Sequence, residues 1–289
     1  MNDDEIVLRK VSAKCFRCAK HWHSGYLAGQ LGILVLSVLA LFIGIDPFVS
    51  VALGLVCVVA IEGLRWSSDL WKSDGELFKR EWELCAGLGG APSGSGLADW
   101  LADKPHDFLN DVTDDEIRGS EFDSRAEPGP RRIVENVEES SWWSKHECRR
   151  VSQILLVSLL VLFALGIGVL VVNLGALRHS ASAGDLAHDI AVARNIGGVV
   201  CAVFTIVFSI NVVRLLTEFR EFASQAGAVF RKCGALLSGA SISERDALLV
   251  LHQYQNARSA APLIPTRIWR QHGDHLRVQW RRVRPGGGN

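Results

Sequence analysis

The chain has 289 residues but one methionine, two tyrosines and eight prolines, and no surplus charge: 31 Lys/Arg meet 31 Asp/Glu. The balanced total by itself says nothing about nucleic acid, and no direct nucleic-acid partner is expected. A second scarcity is local. Residues 27–45, 48–64, 153–172 and 196–213 contain no Lys, Arg or His, and their one carboxylate, Glu62, lies within a turn of a segment end. Coupled transporters and proton pumps place ionisable groups mid-membrane, so this lack argues against that class. Seven cysteines, with Cys57 and Cys201 inside these segments, do not form a secreted disulfide framework.

What is present is apolar length. Each segment approaches the ~20 residues that cross a bilayer core at ~1.5 Å rise per residue. One such run is explained by a buried core helix; four in one chain predict an all-α membrane protein with four transmembrane helices. No cleavable signal peptide is expected, because the chain opens MNDDE and its first apolar run starts late and is followed at once by another.

Orientation follows from the positive charges of the connections. Residues 1–26 hold Arg9, Lys10, Lys14, Arg17 and Lys20, residues 65–150 hold 12 Lys/Arg and residues 214–289 hold 12 more. The turn at 45–47 has none and the connection 173–195 has Arg178 and Arg194 alone. Both termini and the central connection are expected to face the cytoplasm, with Trp22 and Trp66 as interfacial anchors.

Helical periodicity continues beyond the spans. Leu215, Phe219, Phe222, Ala226, Val229, Cys233 and Leu237 are spaced 4, 3, 4, 3, 4, 4, with Gly239 as a stop. Helix from 196 to 238 would run about 65 Å, roughly twice a bilayer core. Trp66, Leu70, Leu77, Leu84 and Leu88 suggest a similar extension of the second span. Val7, Val11, Cys15, Cys18 and Trp22 precede the first span, and Ile133 and Val137 the third. The expected layout is a cytoplasmic helix at 1–26, a transmembrane hairpin at 27–64 and cytoplasmic helix, Gly-rich linker and acidic connection at 65–150. A second transmembrane pair follows at 151–213, then a stalk helix and basic tail at 214–289. Residues 241–244, SISE, fit a capping box, a helix follows to Pro262, and the end RVQWRRVRPGGGN reads as frayed.

The connection 65–150 has 12 basic and 19 acidic residues and the tail 214–289 has 12 and 5. Docking of tail on connection, or a solvated loop beside a lipid-attracted tail, both fit.

Candidate chemistry is thin. Cys15, Cys18, His21 and His23 are zinc-ligand types, but all fall on one helix rather than on two turns, and no metal or cofactor is expected. His146 and Cys148 are two apart, on different helix faces, with no third partner, which argues against a nucleophile and base and against an enzyme. Gln30, Ser37, Ser158, Thr205 and Ser209 are the mildly polar residues that could line a pore; the alternative is hydrogen bonding to helix backbone. Gly25, Gly29 and Gly32, with Gly197 and Gly198, offer flat surfaces for close helix approach. Arg131, Arg132, Lys145, Arg149 and Arg150 could meet phosphates while Trp142 or Trp143 stacks on a base. Anchoring at anionic lipid and at the membrane interface is the other reading.

Three motifs carry a resemblance: CFRCAK at 15–20, EPGPRRIVENVEESSWWSKH at 127–146 and QYQNARSAAPLIPTRIWR at 253–270. With the layout, the chain resembles the SMODS-associated four-transmembrane-helix effectors, pore-formers of bacterial anti-phage systems of the CBASS type. The resemblance implies a homo-oligomeric inner-membrane effector that is silent until infection. A cyclic oligonucleotide from a partner nucleotidyltransferase then activates it, the bilayer is breached and infection aborts. The alternative is a non-conducting membrane scaffold whose cytoplasmic helices recruit a soluble partner.

Overall fold

The computed structural model describes residues 3–43, 47–90, 94–114, 117, 122, 124–180 and 212–283. Side chains are described at these positions except 3–4, 34–43, 47–51, 162, 165–166, 169–170, 172–180, 267, 269–270 and 283. Seven helices and no strand are defined among the described residues, so the all-α expectation holds. They are α1 (Asp3–Ile43), α2 (Pro47–Leu88), α3 (Gly94–Ala102), α4 (Pro130–Ser180), α5 (Val212–Leu237), α6 (Glu244–Ala260) and α7 (Thr266–Val283). Among the described residues no helix is long and apolar enough to cross a membrane. Each of the four apolar runs extends outside the described side chains, and the fourth does so except at Val212 and Val213.

Contacts divide the chain into two compact units, residues 1–21, 67–151 and 218–289 in the first and 22–66 and 152–217 in the second. The first has a conventional core. Along α1 the seam Leu8, Val11, Cys15 and Ala19 is buried, and Leu8, Val11 and Cys15 cluster with Phe78 and Trp82 of α2 and Leu97 of α3. Trp71, Trp100 and Phe108 extend this core as an aromatic group, with the Trp71 and Phe108 rings stacked at 5.9 Å. On α5 the expected stripe is buried at Phe219, Phe222, Ala226, Val229 and Cys233.

The leucine spacing of α2 predicts the wrong face. Leu70, Leu77, Leu84 and Leu88 are exposed, while Phe78, Trp82 and Cys85 are buried beside Glu76 and Glu83. The apolar stripe misleads because the packed face carries two carboxylates whose partner lies far along the chain. Gly89, at φ 76°, follows the end of α2 in the left-handed region that glycine tolerates. Two residues earlier, Gly87 lies so close to α4 that a Cβ there would stand 2.5 Å from Ile133 Cγ1.

Two parts of the acidic connection are held differently: Glu76 and Glu83 take Arg258 of the tail, as tail-on-connection docking expects, whereas Asp111 and Asp114 are held by α1. Lys14 Nζ donates to Asp111 Oδ2 at 2.7 Å, Arg17 Nη1 donates to the Asp111 carbonyl at 2.9 Å, and Lys10 pairs with Asp114. The cap of α6 also differs from expectation. Ser243, not Ser241, is the N-cap, its Oγ accepting from the Asp246 amide at 3.1 Å. The end read as frayed is helical to Val283, because Leu276 and Trp280 of α7 bury against Trp142 of α4.

In the second unit Gly25 and Gly29 face α2. Ile61 Cγ1 lies 2.9 Å and Leu64 Cδ1 3.8 Å from where their side chains would start, whereas nothing lies within 4 Å at Gly32. The outer surface of this unit is apolar. Leu53, Leu55, Val56, Val58 and Val59 of α2 are 50–67% exposed, and Val157, Leu160, Val161, Phe163 and Val171 of α4 are 52–62% exposed.

Helix α6 is locked into the first unit by charge. Arg258 Nε donates to Glu76 Oε2 at 2.9 Å and its Nη1 to Glu83 Oε1 at 2.5 Å, while Gln255 Nε2 donates to Glu83 Oε2 at 3.0 Å. Glu76 and Glu83 are one heptad apart, so a single guanidinium spans two turns of α2. All four side chains are under 9% exposed. Removing one member of a buried ion cluster strands the rest, which costs about 3–5 kcal/mol. Arg258→Met should therefore lower the melting temperature of the purified protein sharply, and adding Glu76→Gln and Glu83→Gln should restore part of the loss. An unchanged melting temperature in Arg258→Met would show that the cluster is not structural.

Candidate functional site

The packing of the first unit leaves a cavity of about 440 Å³ between α1, α2, α4 and α6, within the ~300–1,000 Å³ range of small-molecule sites. Arg9 and Lys20 of α1, Lys72 and Lys79 of α2 and Arg258 of α6 bring five cations to its wall, against Glu76, Glu139 and Glu147. Phe16, Trp82, Trp143 and Tyr254 supply aromatic surface. Helical spacing explains the convergence: Lys72 and Lys79 are a heptad apart on α2, and Trp143 and Glu147 are one turn apart on α4.

The polar groups of the wall differ in how they are held. Arg258 is tied to its two carboxylates. Lys72 Nζ donates to the Ser259 and Ala261 carbonyls at 2.7 and 2.6 Å, which fixes the end of α6 and the Pro262–Ile264 rim. Tyr254 Oη donates to the Ser140 carbonyl at 3.1 Å and lies 2.8 Å from Ser144 Oγ, and burial pushes its phenol up to about 12. Arg9 lies over the Trp82 ring, 4.3 Å from its centroid. Lys79 is different: among the described residues its ammonium has a ring contact with Phe16, at 5.9 Å, and neither a hydrogen bond nor an ion pair. Desolvation, helped by the nearby Arg258 charge, pushes Lys79 down to about 8.

Glu147 is the other unusual group. It is 4% exposed, and its Oε1 accepts no hydrogen bond among the described residues. Burial raises its carboxyl to about 8, outweighing the opposite pull of Lys20 and Lys79. At neutral pH it is therefore largely protonated and offers a donor, while Lys79 is largely charged. The arrangement suits an anionic ligand with a flat ring.

The residues expected to bind ligand scatter. Trp143 alone of the seven lines this cavity. Arg131 is exposed and pairs with Glu135 at 3.1 Å. Arg132 borders a second, smaller cavity. Trp142 is buried against Trp280, ring centroids 5.3 Å apart, and carries His146 on another side at 4.6 Å, so it presents no free face to stack on a base. Lys145 lies over Phe230, and Arg149 and Arg150 are exposed. Of the pore candidates, Gln30 Nε2 donates to Tyr26 Oη at 2.7 Å and Ser158 is exposed. Ser37, Thr205, Ser209, Gly197 and Gly198 lie outside what is described. Cys148 is fully buried and its thiol is pushed up to about 12, so it stays protonated. Cys15 belongs to the core, and no group of three metal-ligand side chains occurs among the described residues.

Arg9, Lys79, Glu147 and Arg258 were not singled out from sequence as a site. The available signal was the pairing of Glu76 and Glu83 at heptad spacing with Tyr254 and Arg258 one turn apart, both polar faces on otherwise amphipathic helices. No known family, curated protein or solved structure matches the chain.

Glu147 predicts a pH dependence. Its folded value of about 8 lies above the ordinary 4.5, so the native state keeps a proton that the unfolded chain releases. The stability this contributes is full below pH 4.5 and lost as pH rises through 8. Glu147→Gln should match the wild type at pH 5 and exceed it by about 1–3 kcal/mol at pH 8.5. Thermal unfolding at the two pH values checks this; an equal offset at both would show that Glu147 is not the titrating group.

Proposed function

We propose that the chain is a multi-pass effector of the bacterial inner membrane, with both termini cytoplasmic. An anionic ligand enters the cavity of the first unit, and the membrane segments then open or disrupt the bilayer and arrest an infected cell. The observation that carries the membrane part is the outward face of the second unit. Large apolar side chains stand half or more exposed on two helices, well beyond the scattered apolar residues of a water-facing surface. Such a face is stable when covered by lipid. The Lys/Arg bias of the flanking segments supports the orientation.

The cavity supports the ligand part of the reading. Lys79 is charged and without an ion-pair partner among the described residues, Glu147 offers a proton, and aromatic rings provide stacking surface, a combination that suits a phosphate-bearing nucleotide. The resemblance drawn from sequence adds the cyclic oligonucleotide and its source, a partner nucleotidyltransferase. A single set of four helices encloses no wide channel, so the active form is a homo-oligomer.

Two measurements test this. A periplasm-only reporter fused at Leu177 should be active and one at Asp114 silent; the reverse pattern overturns the orientation. In vesicles holding the protein, cyclic oligonucleotide should dissipate an imposed potential, read with a voltage-sensitive dye. Lys79→Gln should raise the half-effective concentration about tenfold or more. Full insertion and ligand binding without depolarisation would favour the non-conducting scaffold.

A further inference from the structure

A second cavity of about 240 Å³ lies in the first unit, between α1, the end of α2 and the start of α4. Three polar side chains on its wall have no hydrogen bond or ion pair among the described residues: Glu5 of α1 and Arg132 and Asn136 of α4. Arg132 Nε and Asn136 Oδ1 are buried from solvent without a partner, and Asn136 is only 6% exposed. Unsatisfied buried polar atoms are rare, and each destabilises a fold by about 1–3 kcal/mol. The side chains that carry these two atoms border the cavity from successive turns of one helix, and with Glu5 they leave three polar groups on its wall without a partner among the described residues, which points to an occupant.

The chemistry of that occupant can be read from the wall. A guanidinium and a carboxylate border the same space without pairing, although their direct contact would satisfy both. The remaining wall is mixed, with Ser124, Cys85 and Gly89 beside the apolar Trp82, Ala86, Phe122 and Pro128. Arg132 and Asn136 are held on one face of α4 by their i, i+4 spacing, while Glu5 approaches from α1. The cavity thus presents a donor fork for an anion, acceptors for a cation and apolar surface between them.

We propose that this cavity binds a small zwitterionic amino acid with an apolar side chain. Its carboxylate lies on the Arg132 guanidinium, its ammonium on the Glu5 carboxylate, and its side chain against Trp82 and Phe122. The site is separate from the main cavity, and its occupancy does not depend on the membrane reading.

Calorimetric titration of the purified full-length protein with L-alanine, L-valine, L-leucine, L-methionine and L-phenylalanine tests the assignment. At about 10 mM, enough to fill a site of millimolar Kd, at least one should bind. Its decarboxylated amine and its deaminated acid should each bind about tenfold more weakly or worse, since each removes one charge-assisted contact. Arg132→Gln should weaken the amino acid by a similar factor. If that variant unfolds, Glu5→Gln, at the half-buried start of α1, should weaken the amino acid while leaving the deaminated acid unaffected. Absence of binding by all five, or equal binding of parent and deaminated acid, overturns the proposal. So does an experimental structure, determined with the amino acid present, in which water alone fills the cavity.

Discussion

Arg258 is the constraint around which the first unit is arranged. Two carboxylates seven residues apart on α2 accept from one guanidinium on α6, nearly two hundred residues later in the chain. None of the three could be buried alone, because an unpaired charge in this interior would be neutralised or would open the fold. The cluster therefore fixes which turns of α2 and α6 meet. Gln255 donates to the other oxygen of Glu83, and Tyr254, on the same helix, is positioned against α4.

Charged walls leave space that apolar side chains would fill. Arginine and lysine stems are long and their heads must be solvated or paired, so a seam containing Arg9, Lys72, Lys79 and Arg258 cannot close as tightly as the Leu8, Val11 and Cys15 seam beside it. The main cavity occupies this mismatch. Its lysines differ in consequence: Lys72 is used up in capping the end of α6, whereas Lys79 keeps its donors.

Helices are well marked in the sequence wherever burial alone decides them. The 3–4 spacing of α5 is the spacing of its buried face, and the glycines at 25 and 29 meet a neighbouring helix as small residues in a helical surface should. On α2 the same reasoning selects Leu70, Leu77 and Leu84, the exposed ridge, because a face holding Glu76 and Glu83 looks solvated until Arg258 is brought to it. The site was hidden for the same reason. Arg9, Lys79 and Glu147 come from three separate segments, and no spacing within one segment reports that they meet. Trp142 misleads in the opposite sense: next to a long apolar run it reads as a membrane anchor, yet Trp280, from the far end of the chain, already covers it.

Trp82 and Phe122, stacked at 5.3 Å and 17°, form a wall common to both cavities. Arg9 lies against the same indole ring. A partition made of two flat rings has little thickness, so a tilt that narrows one chamber widens the other: the chambers exchange volume rather than expanding independently. By thermodynamic reciprocity, any influence that an occupant of one chamber exerts on the other through this wall must be returned in equal measure.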